Sequence, residues 1–105
     1  MVLIHIISKN EQQTVEIADQ LLKQKLILNA VITKNIMVRT RLTSGQISND
    51  QQFLLLGETK ALLFNKIDSI LRDKYMKSMP LLYSIPIVNM DWEQADRLIS
   101  NTLQV

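Results

Sequence analysis

The sequence predicts an α+β protein, because apolar runs of strand length alternate with segments whose apolar residues recur at helical spacing. The most informative run covers residues 79–88, which are almost wholly apolar and contain both prolines of the chain. Proline donates no backbone hydrogen bond, so it occurs at the start of a strand, on an edge strand or at a bulge. This strand is therefore expected to have at least one incompletely paired side. The 105 residues are 47% hydrophobic and contain no repeat or linker, which predicts one domain over residues 1–105.

The N-terminal part of the chain predicts a strand followed by a helix. Residues 2–7 form a β-branched run that is too short for a helix. Ser8 and Glu11 have the spacing of a capping box, in which each side chain bonds the other residue's free backbone N–H. The helical spacing of the apolar residues that follow predicts a helix over residues 10–25.

The middle of the chain predicts a β-hairpin. A second apolar run covers residues 26–33, and residues 35–43 alternate between apolar and polar, which is typical of a strand with one solvated face. Ser44 and Gly45 predict the turn, because glycine adopts the positive φ that hairpin turns use. The returning strand is predicted at residues 52–57.

The C-terminal part predicts two helices with the proline-containing strand between them. Thr59 is the predicted cap of a helix that ends near Tyr75. Asp91 and Gln94 form a second capping-box pair, which predicts a last helix that ends near residue 102. The resulting order, βαββαβ with an additional C-terminal helix, is that of a ferredoxin-like sandwich.

The predicted sheet is apolar on both of its faces. Two helices joined by right-handed crossovers cover one face, but residues 2–7, 53–56 and 81–88 lack a polar side. A single terminal helix cannot cover four strands, so the remaining apolar surface is expected to pack against other copies of the chain. The residues predicted to lie at this interface are Leu3, His5, Leu55, Leu82, Ile85 and Pro86.

The composition argues against several classes of function. The net charge of +2 is small for a nucleic-acid-binding protein, and Phe53 is the only aromatic residue available for base stacking on the first and third strands. The absence of cysteine fits a reducing compartment. No apolar run approaches the ~20 residues of a membrane span, and residues 1–7 lack the features of a secretory signal. A cytoplasmic protein that binds neither nucleic acid nor membrane is expected.

Three basic residues are candidates for a ligand site on the hairpin. Arg39 and Arg41 share the outward face of the predicted strand, and Lys34 lies nearby in the sequence. Together they could hold a phosphate or a carboxylate through charge-assisted hydrogen bonds. The alternative is a solvated strand face that discourages edge aggregation.

Three residues are candidates for a metal site. His5 is the only histidine, and Met76 and Met79 could add the thioether ligands that suit monovalent copper. The alternatives are a histidine buried at an interface and methionines that fill gaps in the core. The sequence therefore predicts no resident cofactor, with copper or another divalent metal as the alternative.

No catalytic constellation is recognisable. His5 is expected within a sheet, and no motif surrounds any serine, so no nucleophile has an identifiable base. Two glycines are too few for a glycine-rich phosphate loop. We therefore expect that the protein is not an enzyme.

Three segments and the hairpin tip share a pattern of apolar residues and prolines with one known protein family. Residues 53–59 (FLLLGET) are similar to the strand end Leu-Leu-x-x-Lys-Thr of that family, and residues 79–87 (MPLLYSIPI) share the spacing of its prolines. Residues 26–32 (LILNAVI) are similar to its second strand, and Gly45 with Ile47 resembles its hairpin tip. On these residues the chain resembles the CutA family of divalent-cation tolerance proteins, which implies the fold of that family and a compact homotrimer in which long hairpins and edge strands pair between subunits.

The polar positions depart from the family pattern while the apolar framework is retained. Residues 75–78 (YMKS) stand where the family has His-Pro-Tyr-Glu. Glu58 replaces a lysine, Asn29 a cysteine, and Arg41 and Thr43 replace a tyrosine and a tryptophan. Every metal-competent position that can be compared has therefore changed.

These observations predict a homotrimeric CutA-like protein that acts as an assembly module or binds a small ligand or protein partner. One alternative is a copper tolerance protein that binds the metal through His5 and methionines. A second alternative is a small-ligand sensor of the PII type. Such a sensor needs a long loop between the second and third strands, and residues 44–51 are a short segment for it.

Overall fold

The computed structural model describes residues 1–105 and confirms the predicted fold class. Seven helices and strands follow one another, with short 3₁₀ turns before and after the second helix. Their bounds are β1 Val2–Ser8, α1 Glu11–Lys23, β2 Ala30–Arg41, β3 Ile47–Thr59, α2 Phe64–Tyr75, β4 Leu81–Pro86 and α3 Trp92–Asn101.

The strands form one four-stranded sheet in the order β2-β3-β1-β4, and all three neighbouring pairs are antiparallel. β4 pairs only with β1 and is therefore an edge strand, as its prolines predict. β2 forms the other edge and pairs with β3 from Ala30 to Arg41. The sheet thus leaves one unpaired strand side at each edge, where backbone donors and acceptors have no neighbouring strand to bond.

The core lies between the sheet and two of the helices. On β1, Val2, Ile4 and Ile6 point to this side, and Leu55 of β3 lies opposite Ile6 in the register. α1 and α2 complete the core with apolar residues at helical spacing, because only one stripe of each helix faces the sheet. The buried helix residues are Ile17, Ala18, Leu21, Ile67 and Leu71.

The helix caps differ from two of the predictions. Asn10, not Ser8, caps α1, and its side-chain oxygen accepts a hydrogen bond from the backbone N–H of Gln13 at 2.7 Å. Thr59 is the last residue of β3 and does not cap α2. Its buried hydroxyl donates to the carbonyl of Leu26 at 2.6 Å and ties the strand to the segment after α1. The Ser8 hydroxyl donates instead to the Gln13 side chain of the same segment. Both corrections arise because serine and threonine hydroxyls bond to other nearby groups as readily as to the N–H groups of a helix.

The hairpin turn is where the sequence predicts it, but its strands are longer than predicted. Gly45 has φ +90°, and the backbone N–H of Leu42 donates to the carbonyl of Gln46. β2 is one strand interrupted by a bulge between Thr33 and Ile36. The periodicity changes at such a bulge, which explains why residues 26–33 and 35–43 look like two separate runs.

α3 is held against the sheet by polar contacts at both of its ends. Asp91 caps the helix as predicted and accepts a hydrogen bond from the backbone N–H of Gln94 at 3.2 Å. The Gln94 side chain does not complete the capping box but donates to Glu58 at 2.6 Å. Beyond the helix, the Lys60 ammonium group donates to the carbonyl of Leu103 at 2.8 Å.

None of the helices has the length and apolar content needed to cross a bilayer.

Candidate functional site

The face of the sheet opposite α1 and α2, called the open face below, is the first candidate site. Leu3, His5 and Ile7 of β1 point to it and are half-buried. On β3, Leu54 and Leu56 lie beside them, because the register pairs Ile7 with Leu54 and His5 with Leu56. The edge strand β4 adds three side chains that are more exposed, namely Leu81, Tyr83 and Ile85.

The predicted interface residues divide between the two faces. Leu3, His5 and Ile85 lie on the open face, as an interface requires. Leu55 has no exposed surface and belongs to the core of its own chain, so its assignment to an interface is wrong. Leu82 lies opposite Ile6 and packs against the same core, so its assignment is corrected in the same way.

The last predicted interface residue is Pro86, which is exposed at the end of β4 opposite Val2. It lies on the unpaired edge of the sheet, where the absence of a backbone N–H removes no hydrogen bond between strands. The assignment of Pro86 to an interface stays a prediction.

The three predicted metal ligands lie apart in the structure. The His5 ring is on the open face, with its centroid 5.1 Å from that of Tyr83. Met79 packs against the core on the helix side of the sheet, and Met76 is exposed at the end of α2. No group of three or more histidine, cysteine, aspartate or glutamate side chains is arranged to hold a metal ion.

The three predicted basic residues share one side of the hairpin, but their environments differ. The Lys34 ammonium group forms an ion pair with Glu11 at 2.6 Å, which compensates its charge. Arg39 and Arg41 are exposed and lie opposite Asn49 and Ile47 in the register. Neither arginine forms an ion pair. They are therefore available to an anion or to a partner, but nothing else converges on them.

A cavity of about 610 Å³ lies beneath the other side of the hairpin and was not predicted from the sequence. It opens between the hairpin and the end of β1, the start of α1 and the segment that leads into β4. Its charged residues are Lys9, Lys77 and Asp50. These three residues are distant in sequence, so their proximity could not be predicted. The one available signal was the alternation of Ser48, Asp50 and Gln52 along the strand, which indicates a polar strand face.

A tyrosine and a carboxylate connect the two helices that cover the sheet. The Tyr75 hydroxyl donates to a carboxylate oxygen of Glu16 at 3.2 Å. Burial, followed by the hydrogen bond and the negative charge of Glu16, raises the pKa of Tyr75 from 10.0 to about 12. The phenol proton is therefore held more tightly than usual, which makes this pair a structural link and not a proton donor near neutral pH.

The known proteins that match this chain are found among solved structures. No model of a protein family matches the chain, and no curated protein matches it by sequence. The divalent cation tolerance protein CutA1 from Thermus thermophilus is 25% identical, with a TM-score of 0.87 over 97% of this chain and 99% of that one. CutA from Archaeoglobus fulgidus is 22% identical, with a TM-score of 0.86 over 96% and 98% of the two chains. CutA1 from Oryza sativa is 16% identical, with a TM-score of 0.89 over 99% and 94%.

The sheet order, the paired helices on one face and the third helix after β4 define a ferredoxin-like α+β protein. The structural matches cover almost the full length of both chains, so the agreement includes the hairpin and the C-terminal helix. The predicted resemblance to the CutA family is thereby confirmed, and the chain shares the fold of these CutA structures over almost its full length.

Proposed function

We propose that the chain is a homotrimeric, non-catalytic protein of the cytoplasm that acts as an assembly and binding module. The observation that carries the proposal is the open face, on which an edge strand exposes apolar side chains. Two large side chains of this strand, those of Tyr83 and Ile85, are 45% and 43% exposed. Apolar patches of this kind are typical of protein interfaces.

The two sheet edges support a ring-shaped assembly. β4 and β2 form the two edges of the sheet. If the β4 edge of one copy pairs with the β2 edge of the next, two different surfaces meet at each contact. Such heterologous contacts form closed rings when the rotation between copies closes. The number three comes from the resemblance to the CutA family, in which the same strands pair between subunits.

The arrangement of the side chains supports a role without catalysis. His5, the only histidine, contacts an aromatic ring and has no serine, aspartate or glutamate bonded to it. A nucleophile needs a base within hydrogen-bond reach, and no hydroxyl in the chain bonds to the histidine. The cysteine-free composition fits the reducing environment of the cytoplasm.

Native mass spectrometry tests the assembly. We expect the protein to appear as a trimer of 12.1 kDa chains. Ile85→Asp would place a charge on the apolar open face and should convert the trimer to a folded monomer. Leu62→Asp is the matched control, because Leu62 is also an exposed apolar residue but lies in the 3₁₀ turn before α2. A wild-type monomer, or an Ile85→Asp variant that remains trimeric, would contradict the proposal.

A second candidate function is divalent-cation tolerance, which the names of the structural neighbours suggest. His5 is the one imidazole that could bind copper. Its test is the mass of the native protein after addition of copper, with His5→Gln as the variant that should lose the metal. Bound copper that persists in His5→Gln would exclude His5 as the ligand.

The PII-type sensor is the less favoured alternative. The hairpin closes within residues 42–46, where two backbone hydrogen bonds join Leu42 to Gly45 and to Gln46. A turn of this size leaves no room for a long ligand-sensing loop between β2 and β3. This short turn favours the assembly module over the sensor.

A further inference from the structure

The outer side of α3 carries an apolar and acidic stripe that its own chain does not cover. Trp92, Asp96 and Ile99 recur at helical spacing and so share one side of the helix; they are called the α3 stripe below. Trp92 is 70% exposed, and Ile99 is exposed as well. The other side of α3 faces the protein, because Leu98 has no exposed surface and Gln94 donates to the sheet. A helix that is apolar on its outer side too is expected to contact a partner.

The hairpin carries a second uncovered stripe, which has the opposite charge. Met37, Arg39 and Arg41 alternate along β2 on one side, and Ile47 of β3 lies opposite Arg41 in the register; these four residues are called the hairpin stripe. Met37 and Ile47 are large apolar side chains that are exposed to solvent. The hairpin stripe therefore combines apolar surface with two positive charges.

None of the charges of the two stripes is compensated within the chain. Arg39 and Arg41 form no ion pair, and neither does Asp96 or the adjacent Glu93 of α3. The ion pairs of the protein involve other residues of α1, β2 and α2. Two arginines on one stripe and two carboxylates at the other are thus available to a partner.

The two stripes lie at opposite ends of the protein. Ile47 begins the 13-residue strand β3, whereas α3 contacts Glu58 near the end of that strand through Gln94. The C-terminal end of α3 is held there too, because Lys60 donates to the carbonyl of Leu103. With a rise of ~3.3 Å per residue along a strand, Ile47 and Glu58 are about 35 Å apart. One chain therefore cannot bring its own two stripes together.

The charges select which stripes can meet when copies of the chain associate. Contact between two hairpin stripes would oppose arginine to arginine, and contact between two α3 stripes would oppose carboxylate to carboxylate. Like charges across an interface are costly, whereas opposite charges steer the encounter and fix its register. A hairpin stripe on an α3 stripe is the one combination with apolar contact and opposite charges.

We propose that the hairpin stripe of one copy docks on the α3 stripe of another copy, with Arg39 beside Asp96 and Trp92 buried in the contact. The inference rests on the proposed function, since it names the surfaces through which the copies of the assembly meet. Two different surfaces meet in this contact, so it is heterologous and can close into a ring. Its residues are distinct from those of the open face.

The fluorescence of Trp92 tests whether the α3 stripe is covered, because Trp92 is the only tryptophan of the chain. We expect the emission of the assembled protein to be shifted to shorter wavelengths and to be quenched by acrylamide severalfold less than that of the Ile85→Asp monomer. A trimer whose Trp92 is quenched as strongly as that of the monomer would leave the α3 stripe to a different partner and overturn the proposal.

Charge reversal tests which surface covers it. In sedimentation experiments over a range of concentrations, Arg39→Glu and Asp96→Arg should each weaken the association about tenfold, because each opposes like charges. The variant with both substitutions should associate nearly as the wild type does, since the reversed pair attracts again. Added salt should reduce the differences among the variants through screening.

Lys66→Glu is the matched control, because Lys66 is an exposed lysine of α2 outside both stripes and the open face. It changes the charge by the same amount as Arg39→Glu and should leave the association unchanged. Unchanged association of both single variants, an equal loss in Lys66→Glu, or a double variant that associates no better than the single ones would overturn the proposal.

The same experiments separate this proposal from the proposed function. A trimer with an accessible Trp92 and no response to charge reversal would remove the docking of the hairpin on α3 and leave the assembly intact. A wild-type monomer at every concentration would overturn both. A dimer with a protected Trp92 and the expected rescue by the double variant would support the docking and contradict the trimer.

Discussion

The two faces of the sheet have nearly the same apolar sequence but very different environments. On the helix side, Ile4, Ile6 and Leu55 have no exposed surface. On the open face, the alternate residues Leu3, His5 and Ile7 of the same strand are only half-buried. The difference lies in what covers each face, since two helices pack on one side, whereas α3 reaches the other through the hydrogen bond from Gln94 to Glu58.

This contrast teaches that apolar alternation determines a strand but not which of its faces forms the core. Side chains on a strand point alternately to the two faces, so a run that is apolar throughout supplies two apolar surfaces. The helices take one of them, because both crossovers place them on the same side. The other surface is left for a further partner, as in the proposed assembly.

The largest effect should come from truncating a residue on the covered face. Leu55→Ala would leave a cavity in the core and should lower the free energy of unfolding by about 2–5 kcal/mol. Leu54→Ala is the matched control, since it removes the same atoms one residue away on the open face.

Urea denaturation at several protein concentrations measures both variants. For Leu54→Ala we expect a loss of about 1 kcal/mol at low concentration, where the side chain is partly solvated. The loss should grow at concentrations that favour assembly, if the open face packs between copies. Equal losses for the two variants at every concentration would remove the distinction between the faces.

The two glycines give a smaller and more local comparison. A Cβ added at Gly57 would meet the Ile27 side chain at 3.1 and 3.2 Å, so Gly57→Ala should cost about 1–3 kcal/mol through overpacking on the covered face. A Cβ at Gly45 would meet nothing within 4 Å, and Gly45→Ala should cost about 1 kcal/mol through its φ of +90° alone. Urea denaturation distinguishes them, and a costlier Gly45→Ala would contradict this account.

A further effect concerns the helix layer and depends on pH. Because the pKa of Tyr75 is raised from 10.0 to about 12 on folding, the folded state binds the phenol proton more tightly than the unfolded state. The resulting stability is present below pH 10 and is lost as the pH rises towards 12. The difference in stability between the wild type and Tyr75→Phe should therefore shrink over this range, and a constant difference would contradict the raised pKa.

Ultraviolet titration measures the pKa of Tyr75 itself. The Tyr83→Phe background leaves Tyr75 as the only tyrosine. In that background, Glu16→Gln should lower the pKa of Tyr75 but not restore its ordinary value, because burial is the larger cause and persists. A full return to about 10 would instead assign the shift to Glu16 alone.

The candidate sites were predicted less well than the fold. Arg39 and Arg41 are on one strand face as their alternation predicts, but the cavity lies beneath the other face of the hairpin. Its charged residues come from three separate segments that only the folded chain brings together. His5, Met76 and Met79 show the converse, since residues that share a ligand chemistry are kept apart by the sheet and the end of α2.

By itself, the sequence determined the order of the elements, the turn at Gly45, the cap at Asp91 and the position of β4 at an edge. These features follow from local chemistry, because a glycine, a capping carboxylate or a proline acts within a few residues of the chain. Only the tertiary structure decided that Leu55 and Leu82 belong to the core, while Tyr83 and Ile85 remain exposed. Which face of an apolar strand is buried depends on the side to which the crossovers carry the helices, and no window of residues within a strand contains that information.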